Sequence, residues 1–227
     1  MSKPGSVAIA VCAFVLVVTQ AEATPLVIQS GDDVNEYRFA INSPLGSRLP
    51  NLTPVMNPAW FEPFATSRWI SAFGISDPTP PGQNPCDGAP LCNGDYVYFY
   101  EAFRIDSESY SGSLWVMADD TVVVNLIRPS LPMVNLFSDP GVPSPDNGYL
   151  TCSNRPVGCL QTTMGFLPNL GIYLTEPGEY LLQFQVFQRN GTGFGLDYYS
   201  TLTGVTTPVP EPASLALLGV GLVGVAG

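Results

Sequence analysis

Two stretches of this chain alternate apolar and polar residues with a period of two, and that alternation sets the fold class. In Asp95–Ile105 (DYVYFYEAFRI), Val97, Phe99, Phe103 and Ile105 fall on one face and Tyr96, Tyr98, Tyr100 and Arg104 on the other. In Gly178–Arg189 (GEYLLQFQVFQR), Tyr180, Leu182, Phe184 and Val186 oppose Gln183, Gln185 and Arg189. Successive side chains of a strand point to opposite faces, so each pattern predicts a half-buried antiparallel strand. Shorter signals predict further strands at Glu36–Ile41, Arg68–Phe73, Ser113–Met117, Thr121–Ile127, Gly171–Thr175 and Phe194–Thr203. The stretches 77–94 and 129–148, rich in Pro, Gly and Asn, read as long surface loops. Between the two ends of the chain, no segment keeps a helical apolar period over three turns. The expected fold class is all-β, an antiparallel β-sandwich formed by one domain.

Composition narrows the chemistry. Of 227 residues, 45% are hydrophobic and 12% charged, enough apolar surface for a sizeable core. Nineteen acidic residues against eight basic ones give −11, a balance that repels nucleic-acid phosphates. Nucleic acid is therefore not an expected partner. The chain contains no histidine, which removes imidazole acid–base chemistry, Ser-His-Asp and Cys-His catalysis, and His-ligated metals.

Both ends read as addresses. Lys3 precedes an apolar run from Val7 to Val18, and Ala21-Glu22-Ala23 follows before Thr24. A positive start, a short apolar stretch and an A-x-A site predict a signal peptide over 1–23, cut by signal peptidase between Ala23 and Thr24. The run is about 12 residues, short of the roughly 20 a bilayer-spanning helix needs. Cys12 falls inside this apolar run and is expected to leave with it.

At the other end, Val209-Pro210-Glu211-Pro212 precedes Ala213-Ser214 and a Gly-rich apolar run, Leu215 to Ala226, that predicts a helix. Residues 208–227 resemble the PEP-CTERM sorting signal of exosortase substrates. That resemblance implies export by the general secretory route in a Gram-negative bacterium. It also implies transient anchoring in the inner membrane through the C-terminal helix, processing by exosortase, and delivery to the cell surface or the extracellular matrix. Family members carry an Arg/Lys cluster after the apolar run, whereas this sequence has no basic residue after Arg189.

The intervening domain, 24–207, holds Cys86, Cys92, Cys152 and Cys159. In an oxidising compartment an even count predicts two disulfides. Three connectivities are open. The short Gly-, Pro- and Asn-rich loops favour Cys86–Cys92 and Cys152–Cys159, each adding about 2–3 kcal/mol. A four-cysteine zinc site lacks the C-x2-C spacing it would need.

A second resemblance covers roughly Trp69 to Val205. Arg68-Trp69-Ile70, the aromatic strand, Trp115-Val116-Met117-Ala118-Asp119-Asp120 and Val122–Leu126 follow in an order similar to a galactose-binding-like jelly roll. Gly193-Phe194-Gly195-Leu196 fits that fold's last strand. The resemblance implies an aspartate-bearing corner between two central strands, and it bears on fold more than on ligand.

Candidate chemistry is sparse. Asp119 and Asp120 are candidate Ca²⁺ ligands, since calcium takes oxygen donors, with an Asx turn as the plainer alternative. Trp60, in a Pro-rich segment, and the Asp119/Asp120 pair are candidate ligand-binding residues. Trp69 and Trp115 are expected in the core. The tyrosine stripe is a further stacking candidate or simply the cover of one sheet face. Glu101 falls on the apolar face of its strand. It is either a general acid with a raised pKa or a structural carboxylate paired with Arg104 or Arg68. The function expected on these grounds is a non-enzymatic exported surface or biofilm-matrix protein that binds exopolysaccharide, with no catalytic residues and no cofactor beyond the calcium candidate. The alternatives are a secreted glycan-active enzyme, using Glu101 or the aspartate pair, and a purely structural matrix component.

Overall fold

The structure is a computed structural model that describes residues 25–32, 36–38, 49–50, 52–55, 57, 60–74, 96–106, 109–119, 121–137, 164–188 and 193–204. The expected signal peptide, the four domain cysteines, Asp120 and the C-terminal helix lie outside these residues.

Among the described residues, eleven strands form two antiparallel sheets. They are β1 (Leu26–Gln29), β2 (Glu36–Arg38), β3 (Leu49–Pro50), β4 (Tyr96–Ile105), β5 (Tyr110–Ser111), β6 (Leu114–Asp119), β7 (Thr121–Ile127), β8 (Val134–Asn135), β9 (Gly165–Leu167), β10 (Gly178–Phe187) and β11 (Gly195–Gly204). The smaller sheet runs β1-β11-β6-β9, with β5 also on β11, and the larger runs β3-β2-β4-β10-β7-β8. Both period-two segments became ten-residue strands, and they are direct neighbours from Gly178↔Ile105 to Phe187↔Tyr96.

The apolar faces of the sheets meet in one core. Val97, Phe99, Phe103 and Ile105 of β4 pack with Val122, Val124 and Leu126 of β7 and with Leu182, Phe184 and Val186 of β10. Against them lie Leu114, Val116 and Ala118 of β6 and Leu196, Tyr198 and Leu202 of β11. Phe184 stacks on Tyr198 across the sheets with ring centroids 4.3 Å apart. Each large side chain so buried contributes about 1.5–3 kcal/mol.

Two expected strands came out otherwise. Among the described residues, 68–73 make single bridges, Ile70↔Leu196 and Leu52↔Ser71. They form an extended strap, because Trp69 turns to the outer side of the smaller sheet while Ile70 enters the inner core. Residues 170–173 form a 3₁₀ turn, capped by the Asn169 side chain accepting the Gly171 N–H. The short strands β1, β3, β5, β8 and β9 were not anticipated, and β8 falls inside the stretch 129–148 expected as a loop.

The pairing also fixes where the chain enters and leaves. Leu26 pairs with Leu202, so Pro25 and Gly204 emerge at one end, here called the tail pole. Tyr110 pairs with Gly204, and the end of β4 at Ile105 meets Gly178, placing those turns at the same pole. Gly195 pairs with Asp119, and Thr121, Phe187 and Tyr96 lie side by side at the opposite pole.

Candidate functional site

The two outer faces of the sandwich are built differently. On the smaller sheet, Trp115, Met117 and Asp119 of β6 and Asp197 of β11 point away from the core, and the segment 60–69 covers them. Trp60 and Trp69 stack with centroids 4.3 Å apart over Met117 and Met164. Trp60 is only 5% exposed, and its indole N–H donates to Asp119 Oδ2 at 2.6 Å. Trp69 donates to the Phe61 carbonyl at 2.9 Å. Backbone crowding leaves no slack here, since a Cβ on Gly195 would strike the Trp60 ring and one on Gly193 would strike Asp119 Oδ2.

Asp197 is the second buried carboxylate of this face. It accepts the Ser30 hydroxyl at 2.7 Å and the Phe64 amide at 3.1 Å, so it ties the strap to the sheet. Burial raises its pKa, and hydrogen bonds from Ser67, Ser30 and the Phe64 amide oppose that rise. Trp60 and Asp119 are therefore brought together in a sealed cluster, with the Trp60 ring unavailable for stacking on a ligand. Among the described residues no group of three or more His, Cys, Asp or Glu side chains could hold a metal ion.

The larger sheet presents a different outer surface. The register lines up three cross-strand rows: Tyr100–Gln183–Asn125, Tyr98–Gln185–Val123 and Tyr96–Phe187–Thr121. In the first row Gln183 donates to the Tyr100 hydroxyl at 2.9 Å, and Asn125 donates to Gln183 Oε1 at 3.1 Å. The rings of Tyr96 and Tyr98 meet edge to face at 5.4 Å, Tyr98 and Tyr100 lie 6.1 Å apart, and Tyr96 contacts Phe187 at 5.4 Å. Tyr96, Tyr98, Phe187, Gln183 and Gln185 are all half-buried. Desolvation, then the neighbouring Tyr96 and Tyr100, raises the Tyr98 pKa, so its hydroxyl stays a neutral donor. Rings offering apolar faces beside amides and hydroxyls can meet a ligand that is apolar on one side and hydroxylated on the other. The tyrosines were legible as a stripe. The amides beside them needed the β4–β10 register to be seen as part of one surface.

Glu101 faces inward and is 6% exposed. Tyr198 of the opposite sheet donates to its Oε2 at 3.1 Å. The expected arginine pairing is not with Arg104, which bonds Asp106 and Glu179, both at 3.1 Å. A groove of about 380 Å³, lined in part by Leu26, Asp32, Glu101, Phe103, Arg104 and Glu179, opens beside it.

Comparison with known proteins adds the terminal signal. No curated protein and no solved structure matches the chain. Residues 208–227 match the PEP-CTERM protein-sorting motif family, which implies an exported protein that passes to the membrane for sorting and is processed by exosortase.

Proposed function

We propose that this is a non-enzymatic protein of the Gram-negative cell surface or extracellular matrix that binds exopolysaccharide on the outer face of its larger sheet. The half-buried rings of Tyr96, Tyr98 and Phe187, with Gln183 and Gln185 beside them, carry this reading. Sugar rings offer apolar C–H faces to aromatic rings and hydroxyls to amides, and the stripe supplies both within one rigid sheet. A repetitive polymer suits a long shallow face better than a deep pocket. Removal of the signal peptide at Ala23/Thr24 and of the tail at the Val209–Pro212 motif would leave this domain as the delivered form.

The strand order supports a jelly-roll reading of the fold. The sets β1-β11-β6-β9 and β4-β10-β7-β8 place sequence-distant strands side by side in two packed sheets. Affinity electrophoresis through a gel containing the host's exopolysaccharide tests the binding. The folded protein should be retarded and Tyr98→Ala should run freely. Equal mobility of both in the presence and absence of polymer would sink the proposal.

The groove beside Glu101 favours one rival, a glycan-active enzyme with that carboxyl as general acid. Hydrolysis of the polymer, abolished by Glu101→Gln, would establish it.

A further inference from the structure

Among the described residues, three of the seven exposed large apolar side chains lie on turns of the tail pole. Leu131, Met133 and Ile172 are 41%, 57% and 60% exposed. All three belong to turns at this end of the sandwich. The 3₁₀ turn bearing Ile172 packs on the strand beside Gly204: Leu170 N–H donates to the Gly112 carbonyl at 2.7 Å, and a Cβ on Gly171 would strike the Tyr110 carbonyl. The turn bearing Leu131 is bound to the segment just beyond, since the Ser130 amide and hydroxyl both donate to Glu176. Arg128 braces the same turn through the Pro132 carbonyl at 2.7 and 2.9 Å. The apolar tips are thus held outward by a polar framework.

The chain leaves this pole toward the sorting segment. From Gly204 to Leu215, where the apolar run begins, is eleven residues, an extended reach of at most about 40 Å. Whenever the apolar run 215–226 is in a bilayer, the tail pole is the end of the domain tethered to it, at high effective concentration.

We propose that the tail pole docks on the lipid surface while the tail is membrane-bound, with Leu131, Met133 and Ile172 entering the interfacial layer. The proposal rests on the sorting reading of residues 208–227. Its chemistry is apolar: the carboxylates nearby are engaged, Asp106 and Glu179 by Arg104 and Glu176 by Ser130, so anionic headgroups are not required. Docking would hold the PEP motif at a fixed height above the bilayer and turn the Tyr96–Phe187 end outward.

The test uses the full chain in phosphatidylcholine nanodiscs with brominated acyl chains. The emission that Ile172→Trp adds over the native Trp60, Trp69 and Trp115 should be quenched in these nanodiscs, as expected for an indole at a membrane interface. Val55→Trp serves as the control, since Val55 is 74% exposed and is anchored through Gly74, away from the tail pole. Quenching at 172 and not at 55 supports docking. A chain that enters nanodiscs yet shows no quenching at 172, or equal quenching at both positions, overturns it. A blue shift at 172 without quenching would mean contact with a second copy and would also overturn it. Failure to co-elute with nanodiscs would overturn the sorting reading itself, and the docking with it.

Discussion

The two outer faces of the sandwich start from the same physics and end in opposite states. Both are sheet faces opposite a shared core, and both are rich in aromatics. The face of the smaller sheet is closed by a strap that stacks Trp60 on Trp69 and hands its donors to Asp119 and Asp197. The face of the larger sheet, along β4 and β10, leaves Tyr96 and Tyr98 half-buried, buries Tyr100, and hydrogen-bonds Gln183 and Asn125 into the row beside it. Donors reach both buried carboxyls of the first face, Trp60 at Asp119 Oδ2 and Ser30 with the Phe64 amide at Asp197. The contrast separates aromatics sealed beneath the strap from aromatics left half-buried on the outer side of the larger sheet.

Breaking the sealed face should cost most. Trp60→Ala removes a buried ring and a charge-assisted hydrogen bond, so a loss of about 3–5 kcal/mol is expected in urea unfolding. Polymer binding per folded molecule should not change. Gly193→Ala, at φ 78° and against the Asp119 carboxylate, should cost about 1–3 kcal/mol, read the same way.

Asp197→Asn sharpens the comparison through pH. A carboxyl whose folded pKa is raised contributes stability that is full below its ordinary value of 3.8 and lost as pH rises through the folded value. The wild type should therefore lose stability relative to Asp197→Asn as pH rises above that value. Denaturation midpoints of the two proteins across the acid-to-neutral range should show this trend, and a constant difference would mean that Asp197 is not penalised by burial. The smallest effect on stability is expected on the open face. Tyr98→Ala should shift unfolding by about 1 kcal/mol or less while abolishing retardation by the polymer.

The sequence made the open face far more legible than the sealed one. Period-two alternation placed Tyr96, Tyr98 and Tyr100 on one side of β4 and put Glu101 inward, because strand geometry alone dictates those directions. Trp60 was unreadable: it lies in a Pro-rich segment, and its position depends on Asp119, 59 residues away. The Ser30–Asp197 bond spans 167 residues and left no local trace. The strap at 68–73 carried a strand-like pattern because it too divides its side chains between two sides, with Trp69 outward and Ile70 inward. Among the described residues it pairs through the single bridges Ile70↔Leu196 and Leu52↔Ser71, a distinction periodicity cannot report. The turn at 170–173 was mistaken for a strand because its apolar residues outweighed the Asn169 cap.

Hydroxyl-radical footprinting of the folded protein, with and without the host's exopolysaccharide, tests the division between the two faces most directly. Protection concentrated on Tyr96, Tyr98 and Phe187, with Trp60 and Trp69 equally unreactive in both samples, is the predicted result. Protection that spares the tyrosine stripe, or polymer-dependent changes centred on the Trp60–Trp69 cluster, would contradict it.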